Sequence, residues 1–383
     1  MDTKKHQNYQ TLIFSRQNIN RQIFRCLIYE CEDLLCKFTR TELLAPEKIE
    51  ESNPAQNLRT SVNTLAFKLA KIDNFSDRVR LIQTDINKTV LDRQYDLFFT
   101  FLLKTEEIVD LNSIKNWRQK CDRSVCYIAE IWPTNLDLVY RYRHLFQDFD
   151  AIFLHNQCCV KQVEEIVGRP CYFLPVGIDA IKFCPYPKLP IRSIDLYSMG
   201  RRSPITHQAL LELAEKTSFF YVYDTTRTFG VPDHREHRSL LANLIQRSRY
   251  FINYKHSVNR GAKLGGAEEL SSRLFEGAAG GTIMLGAAPD CDAYREYFDW
   301  QDAVIEIPYE CTNIAEIIAD LEIQAQRLAI ARRKNVVNSL LRHDWVYRWE
   351  IILDKVGLKP TPAMQDRREK LKNLAEAIAQ ADL

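Results

Sequence analysis

The 383-residue chain reads as an α/β protein with two doubly wound parallel-sheet domains and a short charged helix at its end. Three observations predict this. Short apolar runs rich in β-favouring residues recur along the chain, they are apolar throughout rather than alternating, and helix-compatible stretches separate them. A strand covered by crossover helices on both faces has no solvent side, so it needs no polar positions. The length fits two cores, on a prior of about 100–200 residues per domain. The expected partition is 1–176, 177–358 and a charged helix over 359–383, with a ligand cleft between the first two.

In chain order, residues 10–44 carry helix-compatible apolar spacing, and residues 47–75 are polar enough to contain an exposed connection. The first strands are expected at 95–103 (YDLFFTFLL), 124–131 (SVCYIAEI), 150–155 (DAIFLH) and 170–175 (PCYFLP). A second set begins at 193–199, passes through a helix near 206–216, and continues at 219–223, 250–254, 282–285 and 303–307. Residues 313–348 read as mostly helical, and 366–382 as a solvated charged helix after the breakers Pro360 and Pro362.

Composition excludes several classes. A formal net charge of +2 with dispersed basic residues lacks the electrostatic footprint of a general nucleic-acid binder, so no nucleic-acid partner is expected. Eleven irregularly spaced cysteines and the charged start MDTKKHQNYQ predict reduced thiols in a cytoplasmic compartment. Cys121, Cys126, Cys158 and Cys159 lack metal-ligand spacing, so no zinc is expected. No apolar run approaches the ~20 residues of a membrane span. Peripheral contact with the inner face of a membrane stays compatible with this composition. No GxGxxG follows an early strand, which argues against a dinucleotide-dependent dehydrogenase.

The most informative stretch is 267–282, AEELSSRLFEGAAGGT, with Glu268 and Glu276 eight residues apart before a small-residue cluster. If it is helical from Leu270 onward, Leu274 and Phe275 face the core, while Ala278 to Gly281 allow close backbone approach. A carboxylate aimed into a cleft suits a vicinal diol, and a helix N-terminus suits phosphate. Strand ends supply the other candidates, because ligands of doubly wound sheets sit beyond the carboxyl ends of the strands. Gly200-Arg201-Arg202 follows the strand at 193–199, where Gly200 permits a tight turn and Arg201 or Arg202 could grip a diphosphate. Tyr223 to Arg227 could border a nucleobase, and the loop 253–266 offers His256 and Arg260 as donor contacts. Glu130 and His155 end neighbouring strands in the first half, where an acceptor ligand or base would sit. Two Asp-x-Asp triplets, 148–150 and 290–292, are discounted as cation sites. The first precedes its strand, and the second lies in a Pro-led loop.

These residues resemble the donor-site signature of retaining GT-B glycosyltransferases: Glu, seven residues, Glu, a small-residue turn and a buried strand. SRLFEGAAGGTIML resembles the branch that also carries a His-x-Trp-x-x-Arg helix, matched by His343 to Arg348. Leu174 to Asp179, with Phe183 and Pro185, resembles the Gly-x-Asp-x-x-x-Phe crossover linker. The likeness covers roughly the C-terminal half. It implies two Rossmann-like domains facing across a cleft, and transfer of a hexosyl group from a nucleoside-diphosphate sugar to a hydroxyl of a glycan, a lipid-linked or a small-molecule acceptor. Retention and independence of metal and cofactor are implied too, with polysaccharide biosynthesis as the setting.

By the same resemblance Glu276 holds the ribose hydroxyls, Glu268 addresses the transferred sugar, and Ser272 and Arg273 reach the diphosphate. Glu269-Leu270-Ser271 departs from the usual Pro/Gly stretch and leaves open whether Glu268 or Glu269 faces the sugar. Arg201, Arg202, Arg273 and the helix following Gly280 or Pro204 would offset the leaving charge. No Gly-rich loop follows the first expected strand, so a catalytically silent sugar-nucleotide or glycan-binding protein of the same fold is the alternative.

Overall fold

The computed structural model describes residues 9–49, 53–69, 73–224, 230–255, 258 and 261–380. The chain divides into two compact units, Met1–Pro175 with Lys263–Ala267 and Arg348–Gln365, and Val176–Ala262 with Glu268–Tyr347 and Asp366–Leu383.

The first unit holds strands β1 (Gln10–Phe14), β2 (Arg40–Leu44), β3 (Thr89–Val90), β4 (Tyr95–Lys104), β5 (Ile114–Lys115), β6 (Cys121–Glu130), β7 (Ala151–Leu154) and β8 (Cys171–Phe173). Six of them form a parallel sheet ordered β2-β1-β4-β6-β7-β8, and β3 pairs with β5. β4 and β6 are ten residues each and paired over most of their length, with Phe98, Phe99, Val125 and Cys126 fully buried. Both faces are covered, which is why these strands carry no alternation.

One sequence expectation fails at the start of the chain. Residues 10–44 are not one helical region: they fold as β1, a helix Cys26–Phe38 and β2. The helix dominates the apolar spacing of the window, while β1 is only five residues long and becomes a strand because β2 and β4 pair with both its edges. The connection expected over 47–75 contains the helix Asn53–Leu69.

The second unit holds β9 (Ile194–Ser198), β10 (Tyr221–Tyr223), β11 (Ser248–Asn253), β12 (Ile283–Gly286) and β13 (Ile305–Glu306) in a parallel sheet ordered β10-β9-β11-β12-β13. Its local stops and starts follow from sequence. Ser203 caps the helix Pro204–Lys216 by accepting from Thr206 N–H (3.3 Å), with Pro204 at the first helical position. Asp233 caps His234–Gln246 through Arg235 N–H (2.7 Å).

The linker-like and late-helix segments singled out above meet. Ile178 N–H donates to His343 O (2.9 Å) and Trp345 N–H to Ile178 O (3.1 Å), while Ala180 N–H donates to Asp344 (3.0 Å). Arg367 binds Asp344 (2.6 and 2.8 Å) and Asp179 (2.7 Å). A Cβ at Gly177 would lie 2.8 Å from the Trp345 ring, so only glycine admits this packing. Within this unit these motif residues are structural.

The last helix, Pro362–Gln380, is not a solvated tail. It buries Met364, Leu371, Ala375 and Ile378 at helical spacing and contributes Arg367. The sequence shows seven charges between Asp366 and Glu376, but one narrow apolar stripe is enough to seat a helix. No helix among the described residues is long and apolar enough to cross a membrane.

Candidate functional site

In an open parallel sheet, the crevice lies where strand order reverses, beyond the carboxyl ends of two neighbouring strands that leave in opposite directions. In the second unit those strands are β9 and β11. β9 runs out into Met199-Gly200-Arg201-Arg202, and Gly200 adopts a left-handed φ of 72°. Its N–H donates to both carboxylate oxygens of Asp224, at 3.0 and 3.1 Å. Arg202 binds the same residue, donating to Asp224 O (2.6 Å) and Oδ1 (2.7 Å), with its guanidinium over the Tyr223 ring. Arg202 therefore braces the turn, which leaves its neighbours as the candidates to meet an anion.

Those neighbours are Arg201 and Arg273. Arg273 is buried and donates to Met199 O (3.1 Å), and its Nη1 lies 3.7 Å from where a Gly200 Cβ would be. Burial pushes its guanidinium down to about 10, and the charge of Arg201 adds to the shift, against Glu276 and Asp224. Two arginines that raise each other's cost, beside a glycine turn and the start of a helix at Pro204, form a niche that an anion would relieve.

Arg273 and Glu276 stand on the helix Ser272–Ala279, one turn apart, with Ser272 half-buried in its first turn. Leu274 and Phe275 are buried, each contributing about 2 kcal/mol of apolar burial. The small residues have specific neighbours. A Cβ at Gly277 would come within 2.7 Å of Met284 Sδ, and one at Gly280 within 2.4 Å of Ile245. The helix thus rests directly on β11 and β12. After Gly280 the chain enters β12, so the dipole expected from a helix at that point is absent; the helix beginning at Pro204 remains.

Glu276 is 3 % exposed. One carboxylate oxygen pairs with Arg238, which is equally buried and lies over Phe183; the other, Oε2, is buried with no hydrogen-bond partner among the described residues. A buried acceptor left unsatisfied costs about 1–3 kcal/mol, which a ligand hydroxyl would recover. Glu268 is held differently, by Lys255 Nζ (3.0 Å) and Asp290 N–H (2.6 Å), while Glu269 is deeply buried. His256, Arg260 and residues 225–227 lie outside the described residues.

In the first unit, Glu130 ends β6 and His155 directly follows β7, where its N–H donates to Ile128 O (3.1 Å). The two therefore stand at the carboxyl ends of adjacent strands, Glu130 half-buried and His155 buried. Sequence reasoning missed a second group at this sheet's own reversal, between β1 and β4. Arg16 pairs with Asp110 and Arg25 with Glu107, which also accepts from Leu103 N–H (2.8 Å). Ser15 donates to Glu32 Oε2 (2.5 Å). Recognising β1 would have placed Ser15 and Arg16 at a strand end; the carboxylates that answer them come from residues far along the chain.

Burial pushes Glu32 up to about 8, against the opposing Ser15 hydrogen bond and Arg25 charge. The native state thus keeps a proton that the unfolded chain releases. Stability contributed by this group is full below the ordinary carboxyl range, falls as pH rises from about 4.5 to about 8, and is flat above. Glu32→Gln is expected to gain on the order of 2–4 kcal/mol relative to wild type between pH 5 and 9. Urea midpoints at both values check it; parallel losses in the two proteins would remove Glu32 as the titrating group.

Among the described residues, no three His, Cys, Asp or Glu side chains gather in a metal-holding group. Asp148 is taken by Arg80 and Arg118, Asp150 by Ser124, and Asp290 and Asp292 by Arg295.

Comparison with known proteins extends this. Residues 207–354 match the family described as Glycosyl transferase-like. No curated protein sequence matches the chain. Among solved structures, HepE from Anabaena in complex with UDP-glucose is similar over 96 % of this chain and all of that one, with 13 % identity and a TM-score of 0.53. The same protein with UDP and glucose gives 12 % identity, 91 % and 100 % coverage and a TM-score of 0.54. An alpha-glucosyltransferase bound to UDP and a DNA 13-mer containing a HMU base gives 12 % identity, 91 % and 99 % coverage and a TM-score of 0.53. The fold is the GT-B glycosyltransferase fold.

Proposed function

We propose that this protein is a glycosyltransferase that moves a hexosyl group from a nucleoside-diphosphate sugar to a hydroxyl acceptor with retention, without metal or cofactor. The observation that carries the reading is the buried Glu276, whose Oε2 has no partner among the described residues, one helical turn from Arg273, which in turn binds Met199 O beside the Gly200-Arg201 turn. The spacing matches the chemistry of a nucleotide, with a carboxylate for the ribose diol and guanidiniums for the diphosphate. The complexes of HepE and the alpha-glucosyltransferase support UDP as the nucleotide.

In the transfer, the bond between the anomeric carbon and the phosphate oxygen breaks, and the acceptor oxygen takes its place while its proton passes to the departing diphosphate or to a base on the acceptor side. Negative charge grows on the departing diphosphate, where Arg201, Arg273 and the helix at Pro204 lower its energy. Glu268, held by Lys255, addresses the transferred sugar, while Glu130 and His155 serve the acceptor hydroxyl. A glycan or lipid-linked alcohol in the cytoplasm or at the inner membrane face is the acceptor class.

The test is a panel of UDP-, GDP- and ADP-sugars, with binding by calorimetry and turnover by nucleotide release, with and without EDTA. UDP-sugars are expected to bind and turn over unchanged in EDTA, and NMR of the product should show the donor's anomeric configuration. Binding without turnover across glycan, lipid-linked and small-molecule acceptors would favour the silent binding protein instead. No binding to any nucleotide would overturn both.

A further inference from the structure

At the opposite end of the second sheet lies a cavity of about 280 Å³ lined by Arg192, Arg249, Glu322, Ala325, Leu328 and Arg332. Arg192 stands two residues before β9 and Arg249 is the second residue of β11, so the cavity opens at the amino-terminal ends of the strands whose carboxyl ends carry the candidate donor site. None of the groups described above for that site takes part.

The charges in this cavity do not balance. Arg249 takes the carboxylates, binding Asp195 (2.8 Å) and Glu322, and Tyr250 Oη also donates to Glu322 (2.5 Å). Among the described residues Arg192 has only neutral hydrogen-bond partners, donating to Ser248 O (2.7 Å), Gly281 O (2.7 Å) and Gly280 O (3.4 Å). Arg332 forms no ion pair among the described residues, and its Nε is buried without an acceptor. Two guanidiniums therefore share a partly closed space with no carboxylate of their own. Burial lowers the pKa of both, Arg192 to about 10, and Arg332 adds to the shift of Arg192. The 18-residue helix Ala325–Arg342 begins at the cavity wall, bringing unsatisfied N–H groups to the same place.

We propose that this cavity binds a phosphate group, as inorganic phosphate or as the phosphate of a small phosphomonoester, between Arg332 and Arg192. A guanidinium fork matches two phosphate oxygens, and Arg332 Nε is buried without an acceptor among the described residues. The volume lies at the lower edge of the roughly 300–1,000 Å³ typical of organic ligand pockets, which suits a phosphate with a small substituent and excludes a whole nucleotide sugar. Arg192 also holds the carbonyls of Gly280 and Gly281, the turn that ends the helix carrying Glu276. An anion drawing on Arg192 would compete for that turn, so the site is placed to act on the donor helix.

Arg332→Gln is the informative variant, because the Arg332 side chain has no hydrogen bond or ion pair among the described residues, and its loss should leave the unliganded melting temperature unchanged. Arg332→Lys serves as a second variant that keeps the charge but not the fork. Inorganic phosphate and glucose 6-phosphate are titrated into the full-length protein by calorimetry, at ionic strength held constant with sodium chloride. Wild type is expected to bind saturably, Arg332→Gln at least about tenfold more weakly and Arg332→Lys in between. A preference for glucose 6-phosphate identifies a phosphomonoester, and equal affinities identify phosphate itself. Equal binding by wild type and Arg332→Gln, or no wild-type saturation up to about 20 mM, overturns the site. Nucleotide binding can fail or succeed independently of either result.

Discussion

Glu276→Ala is expected to abolish saturable binding of the nucleotide series that the wild-type protein binds, lowering affinity by about 10²–10⁴. Among the described residues Glu276 Oε2 has no hydrogen-bond partner, which leaves it open to the hydroxyls of a ligand. Hydrogen bonds to a buried charged group contribute roughly 1.5–3 kcal/mol each, and two of them account for that range. The alanine variant also takes from Arg238 its buried carboxylate partner, and breaking a buried ion pair costs about 3–5 kcal/mol. Loss of binding alone would therefore be ambiguous. Glu276→Gln with Arg238→Met resolves it, since neither remaining group is charged and the volume is nearly kept. That double variant should melt close to wild type and still fail to bind UDP-sugars. Calorimetry and a melting curve on the three proteins decide: if the double variant keeps affinity within threefold of wild type, Glu276 is a core residue and the donor site lies elsewhere.

The largest effect on stability is expected at Gly286→Ala. A Cβ there would lie 1.7 Å from the carbonyl oxygen of Asn253, and no rotamer moves a Cβ. Asn253 and Gly286 are register partners at the end of the β11–β12 pair, and the hydrogen bonds Ala287 N–H to Asn253 O (3.1 Å) and Ile307 N–H to Gly286 O (2.8 Å) hold both edges. The strands would have to part by more than an ångström, and Asn253 would carry with it Ser271, the residue before the donor helix. A loss above about 4 kcal/mol, or failure to fold, is expected. Gly168→Ala is the control, because Gly168 also has positive φ (64°) but nothing lies within 4 Å of its Cβ position. It should lose only about 1–2 kcal/mol, the cost of the left-handed conformation itself. Equal urea midpoints for the two variants would mean that the strand pair yields easily and the close approach is not required.

The sequence by itself determined the fold class, because apolar runs such as YDLFFTFLL and SVCYIAEI are long enough that only a strand covered on both faces accommodates them. It also marked Ser272–Ala279 and its small residues, since a helix that must touch a sheet needs both an apolar face and missing side chains. Tertiary structure alone made strands of QTLIF and RTELL, whose five residues gain their hydrogen bonds from partners 30 or more positions away. It alone decided that Arg202 serves Asp224, that Glu276 meets Arg238 and keeps one oxygen without a partner among the described residues, and that Glu32 is sealed beside Ser15. The physical reason is common to all of these. Periodicity and capping are properties of neighbours along the chain, whereas the state of a charge depends on what the fold brings to it and how much water it leaves there.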